Sequence, residues 1–267
     1  MPYDCESDAA NIQDNLNCVH TGSVVVFLPE IDSTNNLIKA YLANGADEGL
    51  VAVAESQTGG RGRMGRIWHS PPEAGVYLSV LLKPPVGPNH LPLFTLLAGV
   101  TAVQTVNEFC PHPASLKWPN DILINGKKVC GLLCELVQNQ GEPSGLIIGV
   151  GINVNHLPDQ FPEDLKNIAT SLRIVNNSLT DRLAVIRSFL MNLDREYQTY
   201  LKEGPRPIIE KWSRHTDLFG KKVSVTRGPN VIIGTATGLD KSGRLVLFRD
   251  NGQEEAFDSG EVSLRTS

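Results

Sequence analysis

A segment rich in glycine and arginine is the sharpest chemical feature of the sequence. Residues 59–66 read Gly-Gly-Arg-Gly-Arg-Met-Gly-Arg, and Trp68 follows them in an otherwise acidic chain. Backbone N–H groups and guanidinium groups in such a loop can converge on one polyanion, which predicts a phosphate-binding site. Three cations without fixed partners also predict that the loop is mobile until an anion binds. The pattern alone equally allows a solvated basic turn, or an Arg-Gly segment that contacts nucleic acid without order.

A second polar cluster reads Lys-Trp-Pro-Asn-Asp-Ile over residues 117–122 and continues through a tight hairpin to Lys127 and Lys128. An aromatic ring, a carboxylate, an amide and cations at strand ends suit a charged ligand that also has an aromatic ring. The alternative is a Trp-Pro pair in the core with the lysines at a solvated hairpin tip. Spacing does not decide between the two.

Two shorter features are weaker indications of a ligand-binding site. Residues 149–155 alternate glycine with apolar and amide residues, and glycines in a buried strand let a ligand or another backbone come close. The step from Ser33 to Asn35 fits helix capping best, although exposed cap hydroxyls and an amide could also bind polar ligand atoms.

Several classes of protein are disfavoured. The sequence has no Ser/His/Asp order, no His-Glu-x-x-His and no paired-cysteine motif, so hydrolase and zinc interpretations lack support. Five scattered cysteines indicate reduced thiols rather than a disulfide framework. The net charge of −5 argues against a whole-surface attraction to nucleic acid or anionic membrane. Without a long apolar stretch or a basic leader, we expect no membrane association and a cytoplasmic location.

Apolar periodicity and turn residues predict an α+β protein. Helices are expected at 34–44, 91–109, 181–201 (capped at Thr180) and 207–215. Strands are expected at 23–27, 50–54, 76–82, 121–124, 129–136, 146–154, 222–226, 231–237, 244–248, 254–257 and 262–264. The organisation predicted is a flexible lead or short appended element at 1–22, a mixed sheet packed with helices at 23–217, and a small β-barrel at 218–267.

Taken together and in order, these motifs resemble the biotin protein ligase family from about Ser23 to Arg265. Four separated segments carry the resemblance: Ser33–Asn35, Gly60–Trp68, Lys117–Asp121 and Gly149–Asn153. The resemblance implies a class II synthetase-like catalytic domain followed by an SH3-like β-barrel.

The resemblance also implies site residues. Those expected to bind biotin are Ser33, Thr34, Asn35, Gln57, Arg61, Gly62, Arg63 and Lys128. Those expected to bind ATP or the adenylate are Gly60, Arg61, Gly62, Arg63, Arg66, Trp68, Asn120, Asp121 and Asn153. Lys128 would be the main catalytic cation, with Arg61 and Arg63 beside it. At Met64 several relatives carry another arginine, so the charge of this loop is lower here.

The implied reaction forms biotinyl-5'-AMP from biotin and ATP, with Mg²⁺ holding the triphosphate, and then transfers biotin to a lysine of a biotin carboxyl carrier protein or domain. Family members that double as repressors carry an N-terminal DNA-binding domain, whereas only about twenty residues precede the first predicted strand. We therefore expect no DNA partner, and a monomer or homodimer.

Three alternatives stay open at this point. A lipoate-protein ligase resembles this family in fold and also makes acyl-adenylates, but a dithiolane ring needs a mainly apolar pocket, whereas biotin's ureido group needs buried donors and acceptors. A nucleotide- or RNA-binding module could use the Gly/Arg loop and the barrel. A non-catalytic biotin sensor is the third, and the presence of Lys128 disfavours it.

Overall fold

The computed structural model of the chain describes residues 5–14, 16–85, 87, 90–139 and 142–264. The larger of its two sheets has seven strands in the order β1-β2-β3-β7-β6-β5-β4. Their bounds are β1 Val24–Ile31, β2 Leu50–Gln57, β3 Gly75–Leu82, β4 Ala114–Lys117, β5 Asp121–Ile124, β6 Lys127–Asn139 and β7 Glu142–Asn153. The β1–β2 pair is parallel and the remaining pairs are antiparallel, so the sheet is mixed.

Helices cover both faces of this sheet. Their bounds are α1 Cys5–Asp14, α2 Thr34–Ala43, α3 Leu91–Glu108, α4 Leu172–Asn176, α5 Arg182–Glu203 and α6 Arg206–Arg214. Alternate residues of a strand point to opposite faces. On β2, Val51 and Val53 join the large core that includes α3 and α5, whereas Leu50 and Ala52 pack with Ile38 of α2. The site residues on these strands are therefore held between two packed layers.

Two predicted features near the site differ in the structure. Strand β4 was not predicted, because its four residues are too short to show alternation. The predicted N-cap of the long helix at Thr180 is wrong. The side chain of Asp181 accepts hydrogen bonds from the backbone N–H groups of Leu183 and Ala184, while the backbone of Thr180 pairs with the amide of Asn155.

Of the two alternatives predicted for the N-terminal segment, a flexible lead or a short appended element, the structure agrees with the second. Residues 5–14 form helix α1, and the side chain of Ile12 is fully buried in the large core against β1. Further along, the Oδ1 atom of Asp194 accepts hydrogen bonds from the backbone N–H groups of Val19 and His20. The polar composition of this segment gave no signal for a docked helix, because one buried isoleucine and a few backbone contacts are enough to hold it against the core.

We expect Ile12→Ala to lower the free energy of unfolding by about 2–4 kcal/mol, since it removes a fully buried side chain and leaves a cavity. Chemical denaturation would measure the loss. Ser7→Ala, at an exposed position of the same helix, serves as the control and should change stability by less than about 0.5 kcal/mol. Equal stability of the two variants would mean that α1 is not docked.

The C-terminal part of the chain forms a five-stranded antiparallel sheet in the order β11-β10-β9-β8-β12. Its strands are β8 Lys222–Arg227, β9 Asn230–Leu239, β10 Leu245–Phe248, β11 Glu254–Phe257 and β12 Glu261–Leu264. Its buried residues continue the large core. The predicted fold class, a mixed sheet with helices followed by a small β domain, is confirmed, and the residue boundaries of the domains stay a prediction.

The described part of the chain includes no helix with the length and apolar character needed to cross a membrane. Among the cysteines whose side chains the structure describes, Cys18, Cys110, Cys130 and Cys134 are free thiols. Burial raises the pKa of Cys134 to about 12.

Candidate active site

A cleft of about 420 Å³ collects the predicted site residues at one end of the large sheet. Thirteen of them line it: Ser33, Thr34, Asn35, Gln57, Arg61, Gly62, Arg63, Arg66, Trp68, Asn120, Asp121, Lys128 and Asn153. Gly60 is the exception. It lies at the start of the loop, where an added Cβ would collide with the backbone oxygen of Trp68 and the hydroxyl of Ser70, so a glycine here allows the two ends of the loop to pack closely.

The polar end of the cleft begins at helix α2. Ser33 occupies the N-cap position, but its side chain makes no capping hydrogen bond; instead its backbone N–H donates to Oδ1 of Asp32 at 2.7 Å. Helix capping, the interpretation favoured by the sequence, is therefore wrong for this hydroxyl. Ser33, Thr34 and Asn35 are all buried at the cleft wall, where their polar atoms can face a ligand.

Gln57, at the end of β2, orders this polar end. Its Oε1 accepts from the backbone N–H of Thr34 at 2.9 Å, and its Nε2 donates to Oγ of Ser70 at 3.0 Å. The fully buried Ser79 of β3 lies 2.7 Å from Oγ1 of Thr34 and 2.5 Å from Oδ1 of Asn35. Donors and acceptors are thus fixed in direction before any ligand arrives.

Glu135 of β6 connects the polar end to the cationic end. Its carboxylate accepts from Nδ2 of Asn35 at 2.7 Å and pairs with Lys39 at 2.7 Å and with Arg61 at 3.4 Å. Burial by itself would raise the pKa of Glu135, but the hydrogen bonds from Lys39 and Asn35 and the neighbouring positive charges lower it. Arg61 also donates to Asn36 at 2.7 Å, so a protein anion and an amide hold this guanidinium beside the cleft.

The Gly/Arg loop is folded on itself. The backbone N–H of Gly62 donates to the oxygen of Arg66 at 2.7 Å, and that of Trp68 donates to Gly60 at 2.9 Å. Between them Met64 adopts a left-handed conformation with φ of 57°. The predicted mobility of the loop stays a prediction.

The other two arginines of the loop, Arg63 and Arg66, contact residues outside it. Arg63 lies 3.4 Å from Oδ1 of Asn120, whose own amide donates to the oxygen of Leu132 at 2.7 Å. Burial lowers the pKa of Arg63. Arg66 forms an ion pair with Glu261 of the C-terminal sheet. The C-terminal sheet therefore contributes directly to the wall of the cleft.

Lys128 stands at the centre of the cationic end. Its Nζ lies 2.6 Å from Oδ1 of Asp121 and 5.3 Å from the ring centre of Trp68. Its backbone donates to Ile168 and accepts from Thr170, both at 2.8 Å, so the position of this lysine is fixed by main-chain pairing. The Nε1 of Trp68 is buried without a hydrogen-bond partner among the described residues.

The strand glycines make room for side chains rather than for another backbone. A Cβ at Gly151 would collide with the ring of Trp68, and a Cβ at Gly149 would collide with the amide of Asn35. Asn153, on the same strand, donates to the oxygen of Thr170 at 3.0 Å.

Three residues at this site were not predicted: Ser79, Glu135 and Glu261. Ser79 and Glu135 each interrupt an apolar strand, a signal that could have identified them. Glu261 gives no such signal, because it reaches the cleft only through the packing of the C-terminal sheet.

The buried ring of His156 lies just beyond β7, stacked on Phe161 at 5.0 Å between ring centres. Burial lowers its pKa from 6.5 to about 4, and the nearby His69 adds to the effect. The unfolded chain therefore binds this proton at a higher pH than the folded chain does. The stability that the neutral His156 ring contributes to the folded state is fully present above pH 6.5 and is lost as the pH falls toward 4.

We expect the free energy of unfolding to fall by up to about 3 kcal/mol across this window, at about 1.4 kcal/mol per pKa unit. Denaturant titrations at several pH values would measure it. His156→Leu should flatten the profile, whereas His112→Leu, at an exposed position, should leave it unchanged. An unchanged slope in His156→Leu would contradict the assignment.

Comparison with known proteins agrees with this geometry. Residues 27–153 match the Biotin/lipoate A/B protein ligase family, and residues 218–265 match the Biotin protein ligase C terminal domain. The bifunctional ligase/repressor BirA of Bacillus subtilis is 37% identical over 91% of this chain and 74% of that protein. The biotin--[acetyl-CoA-carboxylase] ligase of Mycobacterium tuberculosis is 33% identical over 86% and 85%.

A solved structure is similar along nearly its whole length. The biotin protein ligase from Aquifex aeolicus, in complex with biotin and ATP, superposes with a TM-score of 0.79 at 33% identity, covering 91% of this chain and 99% of that one. The match extends through both sheets. On this sequence and structural similarity, the chain belongs to the biotin protein ligase family.

Proposed function

We propose that the chain is a biotin protein ligase, which makes biotinyl-5'-AMP from biotin and ATP and transfers biotin to a lysine of a carrier protein. One observation carries this proposal. A single cleft joins a buried, pre-ordered set of hydrogen-bonding groups to a cluster of cations, with Asn35 and Arg61 linked through Glu135. A ureido ring suits the first end, and a carboxylate meeting a phosphate suits the second.

In the first half-reaction, an oxygen of the biotin carboxylate attacks the α-phosphorus of ATP, and pyrophosphate leaves. Two anions must approach each other, so neutralising charge is the main requirement. Lys128 stands between Asp121 and Trp68, where its Nζ can move from one carboxylate to the ligand's oxygens. Arg61 and Arg63 extend the same positive region along the loop.

At the polar end, the buried network gives the specificity. Thr34, Asn35 and Gln57 are held by one another and by Ser79, so their directions are set by the protein. A site built to hydrogen-bond a ligand rejects analogues that lack those groups, because its buried polar atoms would lose their partners. This arrangement favours biotin over lipoate, whose dithiolane ring offers no matching donors.

Mg²⁺ belongs to the proposal as the ion of the triphosphate. Among the described residues there is no group of three or more His, Cys, Asp or Glu that could hold a metal ion. Asp121 and Glu261 offer hard oxygen ligands at the cleft, which fits an ion that takes one or two carboxylates and completes its shell with phosphate oxygens and water. When bound, the ion would neutralise charge on the leaving pyrophosphate.

In the second half-reaction, the carrier lysine's amine attacks the activated carbonyl and AMP leaves. The mixed anhydride is hydrolysable, so the Gly/Arg loop would exclude water until the carrier docks. We propose a biotin carboxyl carrier protein or domain of a carboxylase as the partner, in line with the name of the Mycobacterium tuberculosis relative. We also propose a cytoplasmic monomer or homodimer without a DNA partner. The net charge of −5 supports the last part, because DNA-binding proteins usually carry a basic excess.

The test mixes purified protein with biotin, MgATP and an apo carrier domain and follows the mass of the carrier. We expect an ATP-dependent gain of one biotinyl group, lost in an Arg61→Gly Lys128→Ala double variant. A gain with lipoate alone would assign the chain to lipoate ligation. Salt-sensitive RNA binding without ATP would favour the nucleic-acid module, and biotin binding without turnover would favour the sensor.

A further inference from the structure

A buried ion pair lies outside the cleft and has no part in the chemistry described so far. Nη1 of Arg182, the first residue of α5, lies 3.1 and 3.2 Å from the two carboxylate oxygens of Glu55 on β2. Both residues are 6% exposed. Burying two charges costs desolvation, and apolar residues of similar size are often as stable. A gain in net stability therefore does not explain why this ion pair is buried. The position that the pair imposes on the Glu55 carboxylate is the better explanation.

The same carboxylate holds a third group. Oε1 of Glu55 accepts a hydrogen bond from the backbone N–H of Glu73 at 2.6 Å. Glu73 has a φ of 61°, in the left-handed region that non-glycine residues seldom adopt. It lies near the end of the segment that returns from the Gly/Arg loop to β3, which we call the returning limb, residues 68–74. Glu55 thus fixes the far end of this limb.

Gln57 fixes the near end. It lies two residues beyond Glu55 on β2, and residues two apart on a strand share a face. Its backbone N–H donates to the oxygen of Ser70 at 3.2 Å, and its side chain donates to the Ser70 hydroxyl. That hydroxyl donates in turn to the oxygen of Trp68 at 3.0 Å. Through β2 and these contacts, the buried pair is connected to the backbone of Trp68, whose ring lines the cleft.

The limb between these two anchors is stiff. Residues 71 and 72 are both prolines, whose rings restrict the backbone. Tyr77 of β3 also donates to the oxygen of Pro71 at 3.0 Å. With both ends held and the middle restricted, a change at Glu55 would be transmitted to the position of Trp68.

We propose that Glu55 and Arg182 are positioning residues for the ligase reaction: Arg182 holds the Glu55 carboxylate, which anchors the returning limb and so sets where the Gly/Arg loop and Trp68 stand over the adenylate. Part of this inference rests on the proposed function, because the covering of an adenylate has meaning only if one is made. The anchoring itself is a property of the free protein and can be measured without substrate.

The test uses two double variants in which both members of the ion pair are replaced together. Glu55→Gln Arg182→Met keeps an acceptor for the N–H of Glu73, whereas Glu55→Leu Arg182→Met removes it. The matched control is Glu196→Leu Lys211→Met, which removes a second pair with a fully buried glutamate, 2.8 Å apart, on α5 and α6. All are full-length proteins.

Two measurements separate the proposals. Hydrogen exchange of residues 58–73 in the free protein should be about fivefold faster in the leucine–methionine variant, on the scale of one lost hydrogen bond. The amount of pyrophosphate released in excess of carrier modification measures adenylate that is lost to water. It should rise by a similar factor in the same variant. The glutamine–methionine variant should lie between wild type and the leucine–methionine variant in both, because it keeps an acceptor for the N–H of Glu73 but loses the guanidinium that holds it. The control should stay near wild type in both.

Exchange in the leucine–methionine variant that equals wild type, or a control that matches that variant, would overturn the positioning role and leave only general stability. If wild-type protein releases no pyrophosphate from biotin and ATP, the proposed function fails, while the exchange measurement still decides whether the pair anchors the limb.

Discussion

Lys128→Ala should reduce the rate of biotin adenylation by about a hundred- to a thousandfold, the loss seen when one preorganised electrostatic contact to a developing charge is removed. The backbone of Lys128 is paired on both sides, which fixes the point from which its side chain reaches into the cleft. Pyrophosphate release from MgATP and biotin, in the absence of carrier, measures this step. Binding of biotin alone should change much less.

Lys127→Ala is the matched control. Lys127 precedes Lys128 on the same strand but is exposed and does not line the cleft, so its removal changes net charge equally without touching the site. Adenylation in this variant should stay near wild type. If the adenylation rate of Lys128→Ala fell by less than about tenfold, another group would have to be the main catalytic cation.

Gly149→Ala should raise the KM for biotin by about a hundredfold and leave the KM for ATP nearly unchanged. Displacing a buried polar group breaks its hydrogen bonds to the ligand, and losing such recognition changes specificity on about this scale. The added Cβ would collide with the amide of Asn35. That amide is buried and held by Ser79 and Glu135, so it cannot yield without breaking those hydrogen bonds. Steady-state kinetics with each substrate varied would separate the two KM values.

Gly238→Ala provides the comparison. Gly238 lies in β9, where an added Cβ meets nothing within 4 Å, so we expect wild-type kinetics. Thermal melting of both variants would show whether a fold-wide loss explains the kinetics. A KM for ATP that rises as much as the KM for biotin would mean that Gly149 supports the whole cleft and not the Asn35 position.

The sequence by itself predicted much of the fold. Apolar periodicity is a local property, so α3 and most strands of the large sheet could be placed within a few residues. The motifs are local as well. The loop around Arg61 and Arg63, the segment from Lys117 to Asp121, and the Lys128 hairpin each combine residue types whose charge and hydrogen-bonding capacity are set by covalent structure. Their convergence on one phosphate-bearing ligand was implied by the resemblance to the biotin protein ligase family, because the patterns alone left a solvated basic turn and a core Trp-Pro pair equally open.

Only the tertiary structure decided how those groups are held. The hydroxyl of Ser33 makes no helix-capping hydrogen bond. Gly149 and Gly151 leave room for Asn35 and Trp68, which come from α2 and from the Gly/Arg loop and pack against β7. Glu135 and Glu261 reach Arg61 and Arg66 across long stretches of sequence. The Glu55–Arg182 pair joins residues 127 positions apart. Local patterns do not encode such contacts, since they depend on the register and packing of elements that meet only in the folded chain.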